Sequence, residues 1–238
     1  METDDAFRND RDHELGRDYM EAGQLAQAIK TFLRILARSP NDDWAQLQLA
    51  LCWVHTGQYQ DAETLLDQLV QLHPNAPGIW EVLGESYRRR FKFDPAREAS
   101  ERALALKPDS HEARRLRSMI EFDAKQFEAA ADWAERALQL APDDAHLLWL
   151  YAQALAYCDR LEDAREVNEQ ALRLHPEDFD ALALQAALLM TLNRPKDAID
   201  LYESCLRLDP GNKDLQIRLA EARRKARQTS WTRDQHPF

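Results

Sequence analysis

Apolar side chains recur at helical spacing around Trp80. Leu83 and Tyr87 follow it three and seven positions later, so the three side chains would form one apolar stripe along a helix. Farther along, Ala96 and Ala103 stand seven positions apart and would put two small side chains on one face of a second helix. Small side chains let two antiparallel helices pack at short range. The pattern therefore predicts a pair of packed helices.

The same pattern recurs along the chain at a fixed interval of 34 residues. Each predicted second helix is followed by a proline, which prevents the helix from continuing. These prolines are Pro40, Pro74, Pro108, Pro142, Pro176 and Pro210. The small residue of the second helix keeps the same register, at Ala28, Ala62, Ala96, Ala130, Ala164 and Ala198. The sequence therefore predicts an all-α repeat architecture.

Trp80, Leu83, Gly84 and Tyr87, followed by a small residue and the closing Pro108, match the pattern W-x-x-L-G-x-x-Y. The chain resembles the tetratricopeptide repeat (TPR) family, whose units are helix-turn-helix pairs of this length. The resemblance implies an all-α, right-handed α-solenoid of six TPR units followed by a C-terminal capping helix. In the family's register, residues 9–212 divide into the repeats 9–42, 43–76, 77–110, 111–144, 145–178 and 179–212.

The segments outside the repeats are expected to differ from one another. Residues 1–8 are polar and are expected to be mobile. Residues 213–228 carry a narrow apolar stripe, which favours a helix that caps the last repeat and leaves its basic side chains in solvent. Those basic side chains are Arg218, Arg223, Arg224, Lys225 and Arg227. Residues 229–238 form a polar tail, and whether its two aromatic side chains, Trp231 and Phe238, dock on the surface stays open.

The turn inside each repeat requires a residue that tolerates a positive φ. Gly23 and Gly57 meet that requirement, as Asp159 and Asn193 do to a lesser degree. Phe91 and Lys125 occupy the same position in their own repeats. Either these two turns have another geometry, or each carries strain of about 1 kcal/mol.

The fourth repeat departs most from the pattern. Arg117, Ser118 and Glu121 take the positions that Leu83, Gly84 and Tyr87 hold in the third repeat. Arg117 and Glu121 are four residues apart and can pair along one helix face. Two interpretations stay open, a paired structural site and a softened joint, because a buried ion pair is weak evidence for stability.

Charge and hydropathy disfavour several classes of binding partner and cellular location. The formal net charge of −11 disfavours nucleic acid and anionic membranes, which require clustered positive charge. No apolar run approaches the roughly 20 residues needed to span a bilayer. The acidic start lacks the features of a signal peptide, so we expect a cytoplasmic protein without membrane insertion. The three cysteines are not spaced as in disulfide frameworks or zinc sites, so we interpret them as small buried apolar side chains.

The resemblance also implies a concave groove lined by fixed positions of the first helices. Large apolar side chains at these positions suggest that a helix or an extended peptide binds there, with Arg88 and Arg115 contacting an acidic group. Some of the apolar residues would instead belong to the core if they lie close to a helix contact. The candidate groove residues are Trp44, Leu47, Leu51, Val54, Glu81, Glu85, Arg88, Arg115, Met119, Phe122, Trp149 and Tyr157.

The sequence offers little for an enzyme. It has no Gly-rich phosphate loop, no zinc-spaced Cys or His pair and no nucleophile elbow. Glu81 and Glu85 lie one helical turn apart, but a cation site would need a third ligand. The residues that related proteins use to clamp acidic chaperone tails, and the asparagine ladder of sugar-transferring relatives, are absent. We expect no catalytic residue, metal or cofactor.

The sequence therefore predicts a non-catalytic adaptor or scaffold that binds a protein or peptide in its groove. One alternative is a homo-oligomeric assembly scaffold, of which a homodimer is the simplest form, with one copy occupying the groove of another. A third hypothesis is an accessory subunit of an enzyme or a secretion complex. These hypotheses differ in the partner, which the sequence does not name.

Overall fold

A computed structural model describes the backbone of residues 2–235 and the side chains of residues 10–228. Within the described backbone, thirteen α-helices follow one another and no strand occurs. The helices are α1 Glu2–Glu21, α2 Leu25–Arg38, α3 Asp43–Thr56, α4 Tyr59–Leu72, α5 Pro77–Arg89, α6 Phe93–Leu106, α7 His111–Asp123, α8 Phe127–Leu138, α9 Ala145–Tyr157, α10 Leu161–Leu174, α11 Phe179–Thr191, α12 Pro195–Leu208 and α13 Lys213–Gln235. None of the helices in the described part has the length and apolar character needed to cross a bilayer.

The chain divides into two compact units, an N-terminal unit Met1–Ala124 and a C-terminal unit Lys125–Phe238. In the N-terminal unit, α1 to α6 form three successive helix pairs and α7 packs on α5 and α6. In the C-terminal unit, α9 packs with α8 and α10, α11 with α12, and α12 with α13. Each unit therefore has its own core.

Short polar side chains cap the first helices at the 34-residue interval. Asp42, Ser110, Asp144 and Asp178 each accept a hydrogen bond from the backbone N–H three residues later, over 2.8–3.1 Å. Asn212 does the same at the start of α13. A cap satisfies one of the N–H groups that a helix start leaves unpaired, and it contributes about 1 kcal/mol. These caps fix where the first helices begin.

The turns between paired helices adopt one geometry in every repeat. Gly23 and Gly57 have φ of 69° and 82°. The side-chain-bearing residues Phe91, Lys125, Asp159 and Asn193 also have a positive φ, between 56° and 61°. For Phe91 and Lys125 this decides between the two sequence-based alternatives, because both keep the common geometry and accept its strain.

Small residues allow the paired helices to approach closely. The six alanines in register on the second helices are all fully buried, as the sequence predicted. In α5, a Cβ placed on Gly84 would lie 2.9 Å from Leu116 Cδ2 and 3.4 Å from Ala99 Cβ. The backbone oxygen of Ala96 would lie 3.5 Å away. Gly84 therefore lies where α5 approaches α6 and α7 closely.

The unusual charges of the fourth repeat pair with one another. Glu121 is buried and accepts a hydrogen bond from Arg117 Nε over 2.7 Å. Arg97 of α6 donates to both oxygens of Glu121, with its Nη2 2.7 Å from Oε2. Burial alone would raise the pKa of Glu121, but the hydrogen bonds and charges of Arg97 and Arg117 outweigh burial and lower it. The predicted pairing is confirmed, and the softened joint stays a prediction.

The ends of the chain differ in part from expectation. The backbone of residues 2–8 belongs to α1, and their expected mobility stays a prediction. Helix α13 continues to Gln235, past the predicted end at 228. Its stripe of Leu215, Leu219, Ala222 and Ala226 is buried, as predicted for a cap. The side chain of Trp231 and the whole of Phe238 lie outside the described residues.

Candidate functional site: the first-helix surfaces

The predicted groove residues lie on α3, α5 and α7 in the N-terminal unit and on α9 in the C-terminal unit. We call the side chains at these positions the first-helix surfaces, one for each unit.

On α3, Trp44 is a large aromatic side chain that remains 40% exposed. Its ring centroid lies 4.7 Å from that of His13 and 5.8 Å from that of Phe32, which meets the indole nearly edge-on. His13 is in turn held by Asp42, with 2.9 Å between Nε2 and Oδ2. The exposed ring of Trp44 is therefore fixed in orientation, as aromatic contacts of this geometry favour.

The other candidate groove residues of α3 differ from Trp44 in how deeply they are buried. Leu47 and Leu51 are half-buried, and Leu47 also packs against the core formed by α3, α4 and α5. Val54 is fully buried in that same core. The assignment of Val54 to the groove was therefore wrong, because its side chain belongs to the same buried core as Leu66 and has no solvent-exposed area.

On α5 the charged side chains predicted to line the groove form ion pairs and hydrogen bonds with neighbouring residues. Both oxygens of Glu85 accept from Arg88, over 2.7 and 2.8 Å, and Arg89 Nε donates to Oε1 over 2.6 Å. Arg88 also pairs with Asp123. Burial alone would raise the pKa of Glu85, but the two arginines lower it. Glu81 accepts from the Ser110 hydroxyl over 2.8 Å.

This network corrects the expected role of Arg88. With Glu85 and Asp123 both bound to its guanidinium, Arg88 would have to lose those pairs before it contacted an acidic ligand. Removing one partner of a largely buried charge network is costly. Glu81 and Glu85 likewise face hydrogen-bond donors. Among the described residues, no group of three His, Cys, Asp or Glu side chains is arranged to hold a metal ion.

On α7, the candidates Arg115, Met119 and Phe122 are all half-buried. Within the described part of the chain, Arg115 makes no hydrogen bond or ion pair. Its contact with an acidic group stays a prediction, whereas the guanidinium of Arg88 is already paired with Glu85 and Asp123.

In the C-terminal unit, the surface of α9 is aromatic. Tyr157 is 64% exposed and stacks on Phe127, with ring centroids 4.4 Å apart and planes at 15°. Trp149 is half-buried beside His146, at 5.4 Å between ring centroids. The indole N–H of Trp149 is buried and has no acceptor among the described residues. An unpaired buried donor costs about 1–3 kcal/mol.

Beyond α9, the corresponding positions of α11 and α13 are apolar. Ala183, Ala187 and Met190 are half-buried on α11, and Ile217 of α13 is 66% exposed. The first-helix surface of the C-terminal unit is therefore mostly apolar, with small side chains in its middle, whereas charges dominate on α5.

Sequence reasoning missed a cavity of about 210 Å³ between α11, α12 and α13. Arg218, which is exposed as expected, and the half-buried Lys225 line this cavity together with Glu221 and the buried Tyr202. Arg223 instead pairs with Glu203 over 2.8 Å. The signal in the sequence was the seven-residue spacing of Arg218 and Lys225, which places them on the same side of one helix.

Three family models described as tetratricopeptide repeat match the chain. The first covers residues 19–86 and 121–188, the second 82–145 and the third 179–222. These matches cover parts of the register without counting its units, so the number of six repeats stays a prediction. No curated protein sequence matched the chain.

Solved structures with a similar fold have low sequence identity to this chain. The structure of the APC/C hetero-tetramer Cut9-Hcn1 matches with a TM-score of 0.78 and 17% identity over 87% of this chain, which spans 41% of that one. The structure of pilF from Pseudomonas aeruginosa matches with a TM-score of 0.71 and 17% identity over 91% of this chain and 99% of that one. YrrB, described as a TPR protein with an unusual peptide-binding site, matches with a TM-score of 0.59 and 15% identity over 83% of this chain and 100% of that one.

Proposed function

Because the chain belongs to the tetratricopeptide repeat family, we propose that it is a non-catalytic adaptor or scaffold that binds a peptide or a helix of a partner protein on its first-helix surfaces. The observation that carries the proposal is that large aromatic side chains are exposed there and held in place. Trp44 is fixed by His13 and Phe32, and Tyr157 by Phe127. Rigid aromatic side chains lose little conformational entropy on binding and are frequent binding hot spots.

The C-terminal unit supplies the larger part of the apolar contact. Its surface combines the half-buried Trp149, the small half-buried residues Ala183 and Ala187, and the exposed Ile217. A bound segment that offers a carbonyl oxygen as the Trp149 ring turns outward would satisfy the unpaired indole N–H. A helix with an apolar face, or an extended peptide with spaced apolar side chains, fits this surface.

The charge network of α5 contributes specificity rather than attraction. Because Glu85, Arg88 and Asp123 satisfy one another, this part of the surface gains little from a charged ligand. A misplaced charge on the ligand would be left unpaired there, which disfavours wrong partners. Arg115 is the cation on this side that remains available to an acidic group.

Two features of similar proteins support the proposal without identifying the partner. YrrB is described as having a peptide-binding site, and pilF shares the fold over nearly its whole length. An accessory subunit of an enzyme or a secretion complex is one form of the proposed scaffold. A cytoplasmic location and a homodimer also remain predictions.

The proposal is tested by site-specific photocrosslinking in the source cell. A photoreactive phenylalanine analogue replaces Tyr157 on the first-helix surface or, as a control, the exposed Arg173 at the end of the second helix α10. We expect a protein crosslinked from position 157 and not from 173, and we expect Trp149→Ala to abolish it. Equal crosslinking from both positions, or none from 157, would contradict the proposal.

Light scattering of the purified chain separates self-assembly from adaptor function. If the protein crosslinked from position 157 is a second copy of this chain, and if Trp149→Ala converts a dimer to a monomer, the surface is a self-assembly interface. A foreign crosslinked protein with an unchanged monomer mass supports the adaptor.

A further inference from the structure

The cavity between α11, α12 and α13 is lined by both apolar and polar residues. Ala187 and Met190 of α11 form the apolar wall. On the other side, α13 contributes Arg218, Glu221 and Lys225. Its volume of about 210 Å³ exceeds that of several water molecules, each of which takes about 30 Å³ in the liquid.

Arg218 is the charged group of this cavity that lacks a counterion. Lys225 is paired with Glu221, at 3.1 Å between Nζ and Oε1. In the part of the chain that the structure describes, no carboxylate lies within ion-pair distance of Arg218. A guanidinium presents several N–H donors in one plane, and this geometry suits a carboxylate.

Tyr202 supplies a second donor next to Arg218. The tyrosine is almost fully buried in α12, yet it lines the cavity. Burial raises the pKa of the Tyr202 hydroxyl, and the neighbouring Arg218 opposes this without reversing it. The phenol therefore stays protonated at neutral pH and has a proton to donate to an anion.

We propose that this cavity is a carboxylate-binding subsite, in which Arg218 and the Tyr202 hydroxyl hold one carboxylate of the bound partner peptide while Ala187 and Met190 pack against its methylene groups. The carboxylate comes from an acidic side chain or from the C-terminus of the peptide, since both offer the same chemistry. The inference rests on the proposed function for the source of the carboxylate, whereas the subsite itself can be tested with small molecules.

The charges of the lining favour a carboxylate over a phosphate group. Two cations and one carboxylate line the cavity, which leaves a net charge of +1 for the ligand to neutralise. A single carboxylate matches that charge. A phosphate dianion would bring excess negative charge towards Glu221, and like charges in contact are unfavourable.

The test uses the full chain and three small probes at low ionic strength, where screening is weakest. N-acetylglutamic acid α-amide carries only the side-chain carboxylate, N-acetylalanine only the terminal one, and N-acetylglutamine α-amide is the neutral control. NMR signals of the Met190 methyl group and the Arg218 Nε–H group report binding. We expect saturable shifts with at least one acid and none with the neutral control. The acid that binds more tightly identifies the source of the carboxylate.

Two variants assign the binding to the proposed residues. Arg218→Gln should weaken the better acid about tenfold, because a hydrogen bond to a charged group contributes about 1.5–3 kcal/mol. Tyr202→Phe should weaken it about threefold, as expected for one neutral donor. Arg223→Gln is the matched control and should leave binding unchanged, since Arg223 pairs with Glu203 outside the cavity. Inorganic phosphate should bind more weakly than the better acid.

The outcomes separate this inference from the proposed function. Absence of a saturable shift up to about 0.1 M probe, equal shifts with the neutral control, or unchanged binding in Arg218→Gln would each overturn the subsite. If the crosslinked partner is still found in that case, the proposed function stands without the subsite. Saturable binding of an acid without any crosslinked partner would support the subsite and contradict the proposed function.

Discussion

In the N-terminal unit the carboxylates Glu63 and Glu121 are buried beside arginines, whereas the described part of the C-terminal unit buries no carboxylate and its buried polar side chains include the amides Asn168 and Gln185. These amides meet at 2.9 Å. The two units repeat the same helix pairs around apolar cores, yet among the described residues only the N-terminal unit buries carboxylates, whereas the buried Gln185 of the C-terminal unit donates to the half-buried Glu169. Caps, turns and small residues in a 34-residue register are common to both. The comparison shows that this register tolerates different core chemistry and leaves the surface free to vary.

Acid provides the largest expected contrast between the units. Among the described carboxylates, those whose pKa is lowered are Asp12, Glu85, Glu112 and Glu121, all in the N-terminal unit. A carboxylate with a lowered pKa in the folded state stabilises the fold above its unfolded value of 4.5 for Glu, and this contribution is lost as the pH falls. Asp67, whose pKa burial raises, acts in the opposite direction. We therefore expect the N-terminal unit to open first below about pH 4.5.

Hydrogen–deuterium exchange with mass spectrometry measures this contrast. After correction for the intrinsic pH dependence of exchange, protection in residues 10–124 should fall at a higher pH than protection in residues 125–228. The double variant Glu85→Gln, Glu121→Gln should reduce the difference. Simultaneous loss of protection in both units, or earlier loss in the C-terminal unit, would contradict the assignment.

Glu121→Gln should cost about 3 kcal/mol in free energy of unfolding, because it leaves Arg97 and Arg117 without their shared buried charge. The matched control is Glu101→Gln, which removes an exposed partner of Arg117 and should cost less than about 1 kcal/mol. Denaturant titration of both variants measures the difference. Equal costs would mean that the network in α6 and α7 behaves as a surface ion pair.

Gly84→Val should cost about 2 kcal/mol through overpacking against Leu116 and Ala99. Gly78→Ala in the same helix is the control, since no atom lies within 4 Å of the added Cβ. It should be neutral or stabilising by up to about 1 kcal/mol, as alanine favours a helix. At the corresponding position the C-terminal unit has the buried alanines Ala152 and Ala186, so the glycine requirement is local to the N-terminal unit. A cost below about 0.5 kcal/mol for Gly84→Val would contradict the close packing.

The sequence was sufficient for features that depend on local chemistry. Closing prolines, turn positions and small residues recur at a fixed interval, and each acts on its own few residues. The caps at Asp42, Ser110, Asp144 and Asp178 are equally local and recur in the same register. The fold was predictable because these local features recur at the same positions of successive repeats.

The site was less predictable because exposure depends on neighbouring helices. Val54 occupies a groove position in the register but turns into the core of α3, α4 and α5. Arg88 was expected to be available, although Glu85 stands three residues before it and Asp123 approaches from α7. The pairing of Arg88 with Glu85 could be inferred from their spacing in the sequence. The pairing with Asp123 could not, because it depends on how α5 packs on α7. The cavity beside Arg218 likewise depends on how three helices meet.

The smallest expected effect concerns the turns. There, one residue of a turn in one unit can be replaced by the residue at the corresponding position of the other unit. Phe91 is 73% exposed and has a φ of 58°, while Asn193 has a φ of 56° in the corresponding turn. Asparagine tolerates this conformation better than phenylalanine. Phe91→Asn should therefore stabilise the protein by about 0.5–1 kcal/mol, and Asn193→Phe should destabilise it by a similar amount. Denaturant midpoints measure both changes. If Phe91→Asn instead destabilises the protein, the contact of Phe91 with Phe93, at 6.2 Å between ring centroids, outweighs the strain of the turn and accounts for a phenylalanine at this position.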